Sequence, residues 1–333
     1  MAVPVKVLHW SSEQDADIDR MLENEPDIVL RSVSTLPALL PLLRDSDALI
    51  LPSPRFSAQL ALELVPKNAP SLRWIHLTSA GYDNVVSIGV ALDVVLTYSP
   101  GVGSRAVAEH GLYLMLALAR SAMETLDNQR VGRWDYQVAQ RVRGLAGATL
   151  AIVGFGHMGR ALATLARAMG MKVIAVNRNG TPETLAEATC ALGDVETVLP
   201  TADFVVICLP LNPDTRGFFN ATRLSRMSKL AALINLSRGA IVDQAALMQA
   251  LESGHLRAAL DVTDPEPLPP DHPLWTVPNL LVTPHIAAAG QSTHDREYLA
   301  ELVKHNVSRF VRQMPLLNHV STHRFRGAAQ DAS

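Results

Sequence analysis

The sequence predicts an α/β protein built from two doubly wound parallel-sheet units. Short apolar, β-rich runs alternate with helical patterns, stop for one long helical stretch, and then begin again. The strand-like runs are apolar almost throughout and not at every second residue, which marks parallel strands covered on both faces. With 333 residues, 48% of them hydrophobic, the chain has material for two such cores and little tendency to disorder.

In the first hundred residues "VKVLHW" (5–10) reads as a strand and "SEQDADIDRMLEN" as a helix opened by a Ser cap. "DIVLRSV" is a strand, "LPALLPLLRD" a short helix, "DALILP" a strand, "SAQLALELV" a helix and "LRWIHLTS" a strand. A single long helix is predicted over 104–130, more apolar than one stripe requires, so it belongs in a large core or at a subunit interface. From residue 148 strands are expected at "ATLAIV", "KVIAVN", "DFVVICLP", "ALINLS", "AALDVT" and "LLVTPH". A helix is expected after each of the first four. A last helix is predicted over 291–313, and the polar tail after Asn318 is expected to be loose.

The net charge of −3 gives no electrostatic case for nucleic acid or an anionic membrane. No apolar run approaches the ~18 residues that span a bilayer. The opening "MAVPVKVLHW" has no charged region followed by an apolar one, so it is not predicted to be a secretory signal. Two cysteines, Cys190 and Cys208, exclude a disulfide framework and lack metal-type spacing; a reducing cytoplasm fits them. Cys208, inside "VVICLP", reads as a small buried hydrophobe.

"AIVGFGHMGRALATLARAMG" places Gly154, Gly156 and Gly159 between a strand and a helix, with Gly170 at the helix end. In that context the glycines have separate jobs: a tight turn, close approach of backbone to a pyrophosphate, and close packing of helix on strand. The N–H groups near His157 and Met158 would face the pyrophosphate at the positive helix end. His157 itself reads as a solvent-edge residue beside the cofactor.

The next strand ends in Asn177-Arg178, where such folds place an acid that binds the adenosine ribose of NAD. Asn177 keeps hydrogen-bonding ability without the charge, and Arg178 adds a planar cationic fork suited to a 2′-phosphate. The pattern predicts a preference for NADP(H), with NAD(H) still possible.

Three later strands end in "INLSRGAIVDQAAL" (234–247), "AALDVTDPEPLPPDHPLW" (258–275) and "LLVTPHIAAAG" (280–290). Ligands of open parallel sheets bind beyond the carboxyl ends of strands, and Arg238, Asp261, Glu266 and His285 fall there. A hydride delivered to a 2-keto carbon needs a proton donor for the new alkoxide, for which His285 fits, with Glu266 as its carboxylate partner. Arg238 can hold the substrate carboxylate and polarise its keto oxygen.

These motifs closely resemble the D-isomer-specific 2-hydroxyacid dehydrogenase family over nearly the whole chain. "VGFGHMG" is similar to its cofactor loop, "NLSRGAIVD" to its arginine motif at Arg238, "DVTDPEPLP" to its acidic motif at Glu266, and "TPHIA" to its histidine motif at His285. The resemblance implies that Asp261 contacts the nicotinamide carboxamide and that Ser237 joins the cofactor set. It implies the same for "CLPLNPDTRG" on the adenine side, around Leu209, Pro210 and Thr215. "TSAGYDNV" (78–85) resembles the substrate loop, where N–H groups near Ala80 and Gly81 would bind the substrate carboxylate.

The resemblance also implies a chain order. A discontinuous, flavodoxin-like substrate domain (1–98 and 288–333) would hold an inserted Rossmann cofactor domain (99–287), with hinges near Pro100 and Ile286. "AVAEHGLYLMLAL" resembles the helix that buries the family's dimer interface, implying a homodimer through 104–130. Asn177-Arg178 and "PPDHPLW" resemble the NADP-using glyoxylate/hydroxypyruvate reductase branch, while Gly103 stands where that family often has Asn. The expected activity is NADPH-dependent reduction of a small 2-keto acid to the D-2-hydroxy acid. NAD-dependent oxidation, action on formate or phosphite, and a non-catalytic dinucleotide-sensing corepressor role remain alternatives.

Weaker signals are assigned bland roles. His319 and His323 lie four apart in the polar tail, with no carboxylate near in sequence, and no metal site is predicted. Trp134 and Tyr136 read as core or interface packing.

Overall fold

The structure, a computed structural model, describes residues 3–12, 15–90 and 93–320. The chain divides into two compact units, Met1–Gly103 with Gln291–Ser333, and Ser104–Gly290. It passes between them beside Gly103 and at Gly290, whose φ angles of 73° and 69° lie in the left-handed region. That region also tolerates Asn, the residue for which Gly103 substitutes.

The first unit runs β1 (Val5–Trp10), α1 (Ala16–Leu22), β2 (Ile28–Val33), α2 (Leu36–Leu43), β3 (Ala48–Leu51), α3 (Ala58–Glu63), β4 (Trp74–Leu77), α4 (Asp83–Ile88) and β5 (Val95–Tyr98). Its sheet has the order β2-β1-β3-β4-β5, parallel throughout, the flavodoxin-like arrangement. Strand alternation explains why these runs are apolar on both faces. Leu8, Leu49 and Ile75 face a core closed by Leu39 and Leu43 of α2 and Leu60 of α3, while Val7, Ile50 and Trp74 face the other side.

The second unit runs α5 (Ser104–Ala119), α6 (Ala122–Arg130), β6 (Thr149–Val153), α7 (His157–Ala168), β7 (Lys172–Asn177), β8 (Ala188–Ala191), β9 (Phe204–Ile207), α8 (Ala221–Arg226), β10 (Ala232–Asn235), α9 (Gln244–Glu252), β11 (Arg257–Leu260) and β12 (Leu280–Val282). Its parallel sheet has the order β12-β11-β10-β9-β6-β7-β8. Leu150, Ile152 and Val206 pack under α5 and α7; Ala151, Val205 and Leu233 pack under α8 and α9. The chain then rejoins the first unit through α10 (Thr293–Val311), which buries Leu299, Val303 and Val307 against Val7, Ile18 and Trp74. A full capping box between Ser292 and Asp295 starts it.

Several elements depart from expectation. The helix expected over 104–130 is two helices, because Ser121 takes a left-handed φ of 50°. The carbonyls that end α5 go elsewhere: Leu118 O accepts from Arg257 Nη1 at 2.8 Å and Ala119 O from the Arg143 N–H at 2.8 Å. The helix expected between β7 and β9 is replaced by β8 and two 3₁₀ turns, Leu192–Thr197 and Leu199–Thr201. α1 starts at Asp15, which accepts from the Ser12 hydroxyl at 2.8 Å, and not at a Ser cap. β5 was not predicted. Beside it, residues 318–320 are paired: the Val320 N–H donates to Leu96 O at 2.9 Å, so the start of the expected loose tail is held. His323 lies outside the described residues. Trp134, 98% exposed, and Tyr136 belong to no core among the described residues.

Among the described residues no helix is long and apolar enough to cross a membrane.

Candidate active site

In the second unit, β6 lies between β9 and β7, so successive connections leave it in opposite directions. This is the switch point where the carboxyl ends of an open parallel sheet leave a crevice. The carboxyl ends of β6, β7, β9, β10, β11 and β12 and the segments that follow them carry all the expected site residues of this unit.

The three glycines of the first loop differ physically. Gly154 has φ +103°, and a Cβ there would stand 2.5 Å from the Cys208 carbonyl carbon. A Cβ on Gly159 would stand 2.5 Å from Gly154 O. Both are dictated by packing. A Cβ on Gly156 would meet nothing within 4 Å, so the missing side chain leaves free space in front of the helix. Gly156 is also the N-cap of α7 and supplies no capping side chain, so the first-turn N–H groups near His157 and Met158 have no side-chain cap. A pyrophosphate fits this cradle.

At the end of β7, Asn177 is committed to a turn: its Nδ2 donates to Thr181 O at 2.7 Å and its Oδ1 accepts from the Thr181 N–H at 3.0 Å. Arg178 at the tip of that turn is exposed and makes no ion pair with a described residue. Asn177 thus shapes the turn that carries Arg178.

After β9, Thr215 folds its loop back on itself. It donates to Pro210 O at 2.7 Å and accepts from the Asn212 N–H at 2.9 Å. Leu209 O accepts from the Ser237 hydroxyl, linking this loop to the one after β10. Cys208, buried beside Gly154, has its thiol pushed up to about 12 by burial, which makes it inert.

After β10, the Asn235 side chain accepts from the Ser237 N–H at 3.1 Å and donates to Arg238 O at 2.9 Å. Arg238 is half-buried and donates from Nη1 to Ser237 O at 2.8 Å. Gly239 is obligatory, because a Cβ would fall 2.0 Å from the Thr263 carbonyl. The loop after β11 therefore rides directly on the arginine motif. Gln244 adds a second tie, its Oε1 accepting from the Asp264 N–H at 3.0 Å.

Glu266 in that loop hydrogen-bonds His285 Nδ1 through Oε1. His285, 49% exposed, follows β12 and has φ +53°, a conformation that costs a non-glycine residue about 1–3 kcal/mol. Asp261 holds it there. Its O accepts the His285 N–H at 2.8 Å, its Oδ1 the Ile286 N–H at 3.0 Å, and its Oδ2 the Ala287 N–H at 2.9 Å. Asp261, 1% exposed, is thus the anchor of the histidine loop, whatever else it touches.

Sequence reasoning missed His110 of α5, whose Nε2 lies 3.0 Å from Thr283 Oγ1 and 3.4 Å from Asp261 Oδ1. The partners are 173 residues apart, and no local spacing signals such a contact.

Ala80 and Gly81 lie just after β4 in the first unit, where the Ser79 hydroxyl donates to Gly81 O at 3.3 Å. A cavity of about 640 Å³ in the second unit is lined by Ser121, Glu124, Arg143, Phe204 and Arg257 among others, and by none of the expected site residues. Among the described residues no three His, Cys, Asp or Glu side chains group as metal ligands would.

A family model described as "D-isomer specific 2-hydroxyacid dehydrogenase, NAD binding domain" matches residues 112–287. The chain is 36% identical over 283 residues to a glyoxylate reductase of Thermococcus litoralis, covering 82% of this chain and 83% of the relative. It is 38% identical over 234 residues to glyoxylate/hydroxypyruvate reductase B of Citrobacter koseri, covering 69% and 71%. Among solved structures, the NADPH-dependent glyoxylate/hydroxypyruvate reductase of Sinorhizobium meliloti, in complex with NADP and sulfate, superposes with a TM-score of 0.79. That match has 26% identity and covers 97% of this chain and 99% of the other. On the family model and on identity sustained over four fifths of its length, the chain belongs to the D-isomer specific 2-hydroxyacid dehydrogenase family, NAD(P)-dependent enzymes that interconvert 2-hydroxy and 2-keto acids.

Proposed function

We propose that this enzyme reduces a small 2-keto acid of the glyoxylate or hydroxypyruvate class to the D-2-hydroxy acid, preferring NADPH. The observation that carries the reading is the His285–Glu266 pair, which follows β12 and β11, the two strands next in order to β10 and its Arg238, along the sheet edge that bears the glycine cradle. The reductases of Thermococcus, Citrobacter and Sinorhizobium support the substrate class, and the NADP complex of the last supports the cofactor.

Bound NADPH supplies the hydride. The chain's own groups do the rest. The open face at Gly156 and the N–H groups of the first turn of α7 receive the pyrophosphate. Leu209, Pro210 and Thr215 form the adenine-side loop, with Ser237 pinning it, and Arg178 pairs with the 2′-phosphate. Arg238 fixes the substrate carboxylate and polarises the keto oxygen. His285 gives its Nε2 proton to the developing alkoxide while Glu266 holds Nδ1 and fixes the orientation of the ring. His285 Nε2 has no hydrogen-bond partner among the described residues and is available for that transfer.

The reading extends to a cytoplasmic homodimer. Tyr113, Leu126, Val131, Trp134 and Tyr136, in and after α5 and α6, are exposed large hydrophobic side chains of the kind a second copy would cover.

The decisive test is a panel of 2-keto acids assayed with NADPH and NADH. Turnover of glyoxylate or hydroxypyruvate, faster in kcat/KM with NADPH, is expected. Normal dinucleotide binding with a silent panel would replace catalysis by a sensing role.

A further inference from the structure

We propose that His110 is a positioning residue for the catalytic histidine, acting through Thr283 and Asp261; the inference rests on the role given to His285 above. The proton inventory of the cluster supports it. Thr283 has one hydroxyl hydrogen, and it goes to Asp261 Oδ1 at 2.5 Å. Asp261 serves only as an acceptor here, taking that hydroxyl and the N–H groups of Ile286 and Ala287. Thr283 Oγ1 can then only accept from His110 Nε2, 3.0 Å away, so this nitrogen carries a hydrogen. The 3.4 Å from the same nitrogen to Asp261 Oδ1 is too long for a good hydrogen bond, so the aspartate is reached through the hydroxyl.

The chain of donors ends where precision counts. Thr283 and Ile286 flank the Pro284–His285 turn, and both bond to Asp261 Oδ1. His285 sits between them in a left-handed conformation that a β-carbon disfavours. Without the His110 donor, Thr283 can rotate its hydroxyl away, and one of the ties opposing that strain is loosened. Asp261 is buried, at 1% exposed, and His110, with a side chain 14% exposed, and Thr283 are part-buried, so water has limited access to replace the lost donor. His110 comes from α5, packed on α7 and the sheet, which gives the histidine loop a support outside its own strand.

The test is a set of variants at two positions. His110→Ala should lower kcat for the keto acid roughly ten- to a hundred-fold, the scale of a slight misplacement of a reacting group, with a smaller change in KM. His110→Gln, whose Nε2 can donate from nearly the same place, should restore kcat to within about threefold of wild type. Thr283→Val removes the intermediate hydroxyl and should match His110→Ala, so the claim survives if either variant fails to fold. The double variant should be no worse than the poorer single one by more than about threefold, since both break one chain.

An activity-independent readout separates this claim from the proposed reaction. The ¹⁵N imidazole resonances of His285, assigned by their loss in His285→Ala, should move in His110→Ala and return in His110→Gln. If wild type reduces no keto acid but these resonances follow the pattern, the reaction is wrong and the positioning stands. Unchanged resonances with wild-type kcat in His110→Ala, no rescue by glutamine, or additive losses in the double variant would overturn it.

Discussion

Gly239 has no room for a side chain, and the reason lies in another loop. A Cβ there would fall 2.0 Å from the carbonyl carbon and oxygen of Thr263. Gly239→Ala must therefore push the segment that carries Glu266 away from the arginine motif. Overpacking of this kind costs typically about 1–3 kcal/mol. Urea unfolding should show that loss, and kcat should fall by more than stability alone explains, because the Glu266–His285 bond is displaced as well. Wild-type kcat in a destabilised variant would mean that the loop's position is irrelevant to the chemistry.

Arg178 makes the opposite kind of claim, since it is exposed and constrained by nothing but its turn. A charge-assisted bond to a 2′-phosphate contributes about 1.5–3 kcal/mol, or roughly ten- to a hundred-fold in affinity. Arg178→Ala should raise KM for NADPH by that factor and leave KM for NADH within about twofold. An equal loss with both cofactors would show that the side chain supports the fold of the turn and reads no phosphate. Asn177→Ala should weaken NADPH binding less directly, by releasing the Thr181 bonds that shape the turn.

At the scale of elements, the strands that lead to the candidate site were legible. β6, β9, β10 and β11 are almost wholly buried and β7 and β12 largely so, so their sequences are apolar runs, and a glycine, proline or polar residue marks where each ends. What failed was everything decided by long-range hydrogen bonding. The break between α5 and α6 depends on Arg143 and Arg257, and "SAMETLDNQR" offers no proline or glycine to announce it. β8 is an edge strand of four half-buried or exposed residues, "ATCA", without the apolar run that identified its neighbours. β5 is equally short, and its outer partner is the segment 318–320, more than two hundred residues later. The site divides in the same way. Arg238, Glu266 and His285 follow from strand ends, whereas the second role of Asp261 and the whole of His110 follow from packing. Asp261→Ala should accordingly do more than disturb cofactor contacts. It orphans the buried Ala287 N–H, at about 1–3 kcal/mol, and frees the part-buried Ile286 N–H as well, and thermal unfolding without cofactor should detect the loss. An unchanged melting temperature in the apo protein would remove the anchoring role.

At the scale of the whole molecule, the pH dependence of stability should be set by two buried histidines of the first unit, far apart in sequence but flanking Ile50 of β3. His76 donates or accepts at Thr97 and Ser99 and is fully enclosed; burial, helped by the charge of His9, lowers its pKa to about 3. Below about 6.5 the unfolded chain takes up a proton that the native imidazole refuses. Stability therefore falls with acid, at roughly 1.4 kcal/mol per pH unit until about pH 3. His9 has the opposite sign. Burial pulls its pKa down, but hydrogen bonds and charge from Asp15 and Asp19 outweigh this and leave it raised, with Asp19 Oδ1 at 2.7 Å from Nδ1. Its contribution is complete below 6.5 and is lost as pH rises through the raised native value. The pH of greatest stability for the first unit should thus lie near 6.5, with His9 failing on the alkaline side and His76 on the acid side. His76→Asn retains a donor and an acceptor for Thr97 and Ser99 but cannot titrate, so its stability should decline less steeply below pH 6.5 than that of wild type. Asp19→Asn should lower stability most at pH 6 and approach wild type on the alkaline side, where the native imidazole has lost its charge. Urea unfolding of the three proteins from pH 5 to 9 reads both slopes, and parallel curves throughout would assign the pH dependence to groups other than this buried pair.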